Sequence, residues 1–165
     1  MTSSILTHEQ LKEHIHYNAE TGVFTRLKSP RTDRLGVITV KCLSHGYLAI
    51  NVLKKEYFAH RLAYFYMTGE LPKNSIDHIN RVRADNRWCN LREATKTENS
   101  QNIIKPYSTN KSGYLGVHYC NRDKVFIAQI RFNGKKVKLG RFDNALDAYN
   151  CYLEAKKEHH SFYVA

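Results

Sequence analysis

One stretch limits what this chain can build more than any other: Ile76–Asn102, IDHINRVRADNRWCNLREATKTENSQN. In a few residues it gathers an Asp-His pair, a polar and basic loop, an Asn-Leu-Arg turn and a short Asn-rich helix, so the flanking segments have to hold it in place. Ile76 suits a buried strand position, and that strand would deliver Asp77 and His78 at its end. Adjacent strand residues point to opposite sides. Both side chains can therefore serve one phosphate only if the strand end twists or the phosphate sits beyond it. Thr95-Lys-Thr-Glu98 is a capping-box pattern, so a helix is expected from Thr95. That helix would put Asn99 and Asn102 one turn apart on the same side.

Charge narrows the partners. Lys and Arg number 26 against 15 acidic residues in 165, a formal net charge of +11. Such an excess points to a polyanion, with double-stranded DNA ahead of an anionic membrane. No apolar run of spanning length and no signal peptide is evident, so a cytoplasmic protein without membrane insertion is expected. The four cysteines, Cys42, Cys89, Cys120 and Cys151, are too scattered for a Cys-based zinc site or a disulfide framework.

The lead-in reads as a small layer of helix and hairpins. Thr7 with Gln10 makes a capping box for a helix over 7–17, and strands are expected at Val23–Leu27, Gly36–Lys41, Tyr47–Val52 and Tyr57–Ala59. A helix over His60–Met67 is stopped by Gly69 and kept from resuming by Pro72. Lys28, Arg31, Arg34, Lys54 and Lys55 sit in loops of this layer, where they can touch DNA or simply be solvated.

A phosphodiester hydrolase needs a nucleophilic water, charge relief on the phosphoryl oxygens and help for the departing 3′-oxygen. A neutral His takes the water's proton near pH 7. One hard cation held by carboxylate and amide oxygens supplies the rest. Asp77, His78 and Asn99 offer that minimal set, with Arg81, Arg83 and Arg87 in the loop suited to clamping phosphate. Taken singly, each has a plainer use: Asp77 can cap a turn, His78 can be a satisfied core histidine, Asn90 or Asn99 can bond backbone, and the arginines can be solvated.

The series IDHIN, then Asn-Leu, then Glu-Asn resembles the HNH (ββα-metal) nuclease motif, in the branch of phage homing endonucleases where the last His is replaced by Asn. The opening LKEHIHYNAETGVFTRL and the approach HRLAYFYMTGELP, with His60 and Arg61, are similar to that branch too, so the resemblance covers roughly residues 8–102. It implies two strands and a helix around one divalent ion. Asp77 and Asn99 match the metal ligands, His78 the general base, and Asn90 the middle Asn that helps fix base and loop. Oxygen ligands favour Mg²⁺ or Mn²⁺ over Zn²⁺. Whether Glu98 or Asn102 assists the metal is left open.

Composition shifts near Lys105. From there to Arg141 the chain holds nine Lys or Arg and a single acid, Asp123. Residues 104–112 read as a linker. Strands follow at Tyr114–Tyr119, Phe126–Phe132 and Lys135–Leu139, the last two joined at Asn133-Gly134, and Asp143 or Asn144 caps a helix to about Lys157. On the second strand Phe126, Ala128, Ile130 and Phe132 form the apolar side, which leaves Gln129 and Arg131 outward with Tyr119, Arg122, Lys135 and Lys138 nearby. Arg reads guanine and Gln adenine, whereas lysines suit phosphate. The run SGYLGVHYCNRDKVFIAQIRFNGKKVKLGRFDNALDAY is similar to an APETALA-two type DNA-binding domain, with Phe126 where the family has Trp. That resemblance implies a three-stranded antiparallel sheet, backed by a helix and laid in the major groove.

The expected architecture is therefore α+β: a ββα-metal domain over 1–103, a linker over 104–112 and a DNA-reading domain over 113–165. The expected activity is that of a sequence-directed DNA endonuclease of homing type, phage-encoded and acting in a bacterial host cell. It would act as a monomer or homodimer, nick one strand per monomer and use no small-molecule cofactor. The competing readings are a non-catalytic DNA-binding regulator and a structure-specific repair or recombination nuclease.

Overall fold

A computed structural model describes residues 6–30, 34–38 and 40–164, and the chain divides into two compact units, Met1–Thr95 and Lys96–Ala165. The division falls before the helix expected from Thr95. Residues 104–112 accordingly fall within the second unit.

The first unit begins with helix α1 (His8–His14), capped as its sequence predicts. The Thr7 hydroxyl accepts from the Gln10 N–H, while the Gln10 side chain accepts from the Thr7 N–H. Strands β1 (Ile15–Tyr17), β2 (Phe24–Arg26) and β3 (Gly36–Val37) form one antiparallel sheet in that order. A second is made by β4 (Lys41–Cys42), β5 (Leu48–Val52) and β6 (Lys55–Phe58). The single strand expected over 36–41 is thus two, each pairing into a different sheet; Thr39, between them, lies outside the described residues, as does Arg31.

Helix α2 (Ala59–Thr68) buries Leu62, Ala63 and Phe65 at helical spacing against Leu11, Ile15, Phe24, Ile50 and Val52. It ends on Gly69 in the left-handed region, φ 80°. Polar side chains then aim the next strand. Arg61 donates to the carbonyls of Pro72 and Asn74. Glu93 accepts from the Tyr64 hydroxyl and from the Asn74 N–H, and these bonds, the Asn74 one foremost, lower its pKa. Between them they seat β7 (Ser75–His78) antiparallel to β8 (Leu91–Ala94).

The loop joining β7 to β8 closes with a 3-10 turn at Trp88–Asn90 and is braced from the N-terminal side. The Trp88 N–H donates to the Ala19 carbonyl, and Gly22 presses on the backbone of Asn86 and Arg87. A Cβ on Gly22 would sit 2.7 Å from the Arg87 nitrogen, and its φ of +73° is itself a glycine conformation.

The second unit starts with the short helix α3 (Lys96–Gln101), held by the far end of the chain. The Phe162 N–H donates to the Gln101 side chain, and the buried Lys156 ammonium donates to the Ile103 carbonyl. Asn110 folds 110–117 into a tight staple, donating to the carbonyls of Tyr114 and Val117 while accepting from Ser112. Strands β9 (Val117–Cys120), β10 (Val125–Phe132) and β11 (Lys135–Phe142) form an antiparallel sheet with β10 central, and helix α4 (Ala145–His159) packs on it.

Asn144 is the cap of α4, its side chain accepting from the Asp147 N–H. The β10–β11 turn takes positive φ at both Asn133 and Gly134, as an Asn-Gly hairpin should. Ala128 and Ile130 lie in the core with Val117, Ala148 and Tyr152, and Phe126 packs against them, which matches the parity expected of β10.

Candidate active site

Asp77 and His78 are the last two residues of β7, and both are buried, at 7% and 4% exposure. Strand alternation sends them apart, and each meets a different environment. Asp77 is paired across the ladder with Arg92 of β8. The Arg92 Nε and Nη2 both donate to its Oδ2, at 2.9 and 2.8 Å.

His78 enters an aromatic cluster, with its ring centroid 5.2 Å from His60 and 5.9 Å from Tyr47. Immediately after it the chain turns, the Arg81 N–H donating to the His78 carbonyl. Arg81 sits at φ 65°, outside the usual range for a non-glycine residue.

The residue that meets His78 is Asn86, which the sequence reading did not single out. Its Oδ1 lies 3.4 Å from His78 Nε2, while its Nδ2 donates to the Ala84 carbonyl and so fixes which way the amide faces. An amide oxygen only accepts, so the His78 proton belongs on Nε2 and the basic nitrogen is Nδ1. The Asn86 carbonyl accepts from the buried Tyr17 hydroxyl at 2.7 Å, which ties its position to β1.

Burial lowers the His78 pKa below the ordinary imidazole value. The Asn86 bond and the carboxylates of Asp77 and Asp85 oppose that, and Arg83 adds to it. His78 is thus neutral and able to accept a proton at neutral pH. His60 is more extreme, pushed down to about 3, mostly by burial, and its Nδ1 is buried without a partner.

Asn90 works on the loop. Its Oδ1 accepts from the Asn80 N–H and its Nδ2 donates to the Asp85 carbonyl, both at 2.8 Å, so one side chain joins the two ends of 80–85. Asp85 also accepts from Asn80 and Arg87, and the Arg87 bond is the main reason its pKa falls to about 2.

Of the three loop arginines, Arg87 is thereby committed to Asp85, and Arg83 donates to the His45 carbonyl with its guanidinium 5.0 Å above the Tyr47 ring. These contacts shape the loop, a use that a reading of the arginines as simple phosphate clamps leaves out.

Asn99 lies half-buried on α3, in the second unit, and Asn102, just past that helix, is buried. Among the described residues no group of three or more His, Cys, Asp or Glu side chains is placed to hold a metal ion. The local donor is one buried carboxylate, Asp77. Such a donor fits a hard divalent ion that takes its remaining ligands from amide, phosphate and water oxygens, which is how Mg²⁺ is usually held.

Strand register in the second unit revises the expected basic face. Tyr119 pairs with Phe126, and Lys135 with Phe132, so both stand on the side opposite Gln129 and Arg131. The residues that do share the outer side are His118, Lys136, Lys138 and Arg141. A bulge at Ala128/Gln129 leaves Leu139 out of the ladder and brings Lys138 opposite Gln129. Arg122, at the β9–β10 turn, is paired with Asp123, which also takes Arg141 at 3.1 Å.

In the first unit Lys28, Arg34 and Lys54 line an open cleft with Arg26 and His14, while Lys55 lies over Tyr57. No helix of the described residues is long and apolar enough to cross a membrane.

Comparison with known proteins places the central stretch. Residues 57–101 match the model of the HNH endonuclease family. A solved structure of the HNH homing endonuclease I-HmuI, described for DNA binding and cleavage, is similar at 20% identity with a TM-score of 0.43. The match covers 54% of this chain and 51% of that one, so the chain spans about half the length of this relative. No curated protein matches the chain. The stretch that carries Asp77, His78, Asn90 and Asn99 is an HNH endonuclease domain.

Proposed function

We propose that this chain is a sequence-directed DNA endonuclease of the homing type, hydrolysing phosphodiester bonds with one Mg²⁺ or Mn²⁺ ion. One observation carries this reading. A buried, neutral His78, oriented by Asn86, follows directly on a buried carboxylate within the residues that match the HNH endonuclease family. His78 Nδ1 takes a proton from the attacking water. Asp77 and Asn99 are the residues assigned to hold the ion. Bound there, the ion would relieve charge on the scissile phosphate and on the departing 3′-oxygen. Asn90 keeps loop 80–85 closed so that the base and the phosphate stay in register.

Cleavage in this scheme leaves 5′-phosphate and 3′-hydroxyl ends. One site per chain means one nick per monomer, and a double-strand break needs a dimer or two events. The sheet of the second unit is assigned to DNA reading in the manner of an APETALA-two type domain. Its outer side carries Gln129 and Arg131 as candidate base readers, with Lys136 and Lys138 on phosphate. Arg81, Arg122, Tyr119 and Lys135 keep a place as backbone contacts at its margins and at the loop.

The test is direct: purified protein with Mg²⁺ or Mn²⁺ should convert supercoiled plasmid carrying a genomic target library to open circle, and a chelator should stop it. Binding without any cutting under these conditions would favour the non-catalytic regulator. Cutting confined to branches or ends would favour a repair or recombination nuclease.

A further inference from the structure

The carboxylate assigned to the metal already has a cation bonded to it. Arg92 puts two N–H groups on Asp77 Oδ2. The pair is built into the sheet, because Asp77 and Arg92 are direct partners in the β7–β8 ladder. Burial makes it necessary: the Asp77 side chain is 8% exposed, and an ionised carboxylate that far from water needs compensation. The Arg92 side chain is 22% exposed, so it is open in part to solvent and to a ligand arriving from outside.

We propose that Arg92 is an internal counter-ion, holding Asp77 against divalent metal in the DNA-free protein and releasing it when a DNA phosphate arrives. The inference rests on Asp77 being a metal ligand. A guanidinium on that carboxylate repels a divalent ion there. Among the described residues Asp77 also belongs to no group of three or more His, Cys, Asp or Glu side chains that could help it outbid Arg92. A phosphodiester changes both sides of the balance. It brings oxygen ligands and negative charge for the ion, and it offers the planar guanidinium fork a second oxyanion to grip. DNA would therefore bind first and metal second, so that metal is not loaded away from substrate. Arg92 is a positioning residue in this scheme.

The test measures Mn²⁺ binding, by electron paramagnetic resonance or calorimetry, in a His78→Ala background that prevents cutting. Without DNA, Arg92→Gln should bind Mn²⁺ about tenfold more tightly than the parent, because one adjacent positive charge is gone. Arg92→Lys, which keeps the charge, should stay within about twofold of the parent. Equal or weaker Mn²⁺ binding by a folded Arg92→Gln protein would overturn the proposal, since Arg92 would then be orienting a ligand and not blocking it.

Should Arg92→Gln fail to fold, the parent itself decides. Its Mn²⁺ affinity should rise by about tenfold or more when a short duplex is added, and an unchanged affinity overturns the proposal. Asp77→Asn separates the two claims. If it binds Mn²⁺ normally on the duplex, the ligand assignment fails; if it loses binding while Arg92→Gln gains none, only the counter-ion role fails.

Discussion

The two units handle charge in opposite ways. Around β7 the charged and polar groups are bonded to one another, Asp77 to Arg92, His78 to Asn86, Asp85 to Arg87 and Asn80, and the two at the strand's end, Asp77 and His78, are buried. On the outer side of the second unit's sheet, His118, Arg131, Lys136, Lys138 and Arg141 are exposed. Burial shifts a proton affinity and fixes a geometry, which is what chemistry on a phosphodiester asks for. Exposure keeps cations mobile and hydrated, which suits an ion-releasing grip on a polyanion. The contrast supports a division in which β7 and its loop set whether DNA is cut, and the sheet face largely sets where. Substitutions can break that division from either side.

Among changes that leave His78 in place, the largest effect on cutting should come from Asn90→Ala. Losing the bonds to the Asn80 N–H and Asp85 carbonyl opens loop 80–85, and a misplacement on that scale should lower the cleavage rate about a hundredfold. DNA affinity, measured by filter binding, should move little. Gly22→Ala should act on the same loop from the N-terminal side, combining a strained backbone with a clash at Arg87. A lowered melting temperature together with reduced cutting would be the expected readout.

The complementary change is Gln129→Ala with Arg131→Ala. Base contacts of this kind are worth roughly 1–3 kcal/mol each, so target affinity should fall about tenfold or more while the rate at saturating DNA holds. If Arg131 touches phosphate and not a base, the loss should spread evenly over sequences and the salt dependence should flatten by about one ion. An equal loss of binding and saturated rate would break the division of labour.

The effect furthest from cutting and binding is on stability. His60 has a folded pKa of about 3 against an ordinary 6.5. Below pH 6.5 the unfolded chain takes a proton that the folded chain refuses. Stability should therefore fall by up to about 1.4 kcal/mol per pH unit as acid is added, until the pH nears 3. His60→Phe, which preserves a ring against Phe58, should lose that slope in melts taken between pH 4 and 6 on the order of the same range. An unchanged slope would mean that the acid sensitivity lies elsewhere.

How much of this was legible in the chain depended on range. Features set within a turn of sequence were readable: the Thr7 capping box, a helix cap at Asp143 or Asn144, the Asn133-Gly134 hairpin and the side of β10 that faces its helix. Features set by pairing were not. Arg92 became the partner of Asp77 through the β7–β8 register, which no local pattern announces. The side taken by Tyr119 and Lys135 was hidden for the same reason, since each takes its face from its partner on β10.

Asn86 reaches His78 only because the loop folds back under the brace of Ala19, Gly22 and Tyr17, far earlier in the chain. The boundary at Thr95 was hidden likewise, because Lys156 and Phe162 claim Ile103 and Gln101 from the other end of the sequence. An Asn amid several Asn, or an Arg amid several Arg, carries no mark of which one the fold will use.

The central claim is that His78 is the base of a nuclease, and one comparison tests it most directly: plasmid nicking and duplex affinity, measured side by side for the parent protein and His78→Ala. Loss of a general base should cost about 10²–10⁴ in cleavage rate while affinity stays nearly unchanged. The parent's rate should rise with pH through a midpoint below 6.5, as burial of His78 requires. A His78→Ala protein that still nicks at the parent's rate, or that loses binding as steeply as cutting, would contradict the assignment.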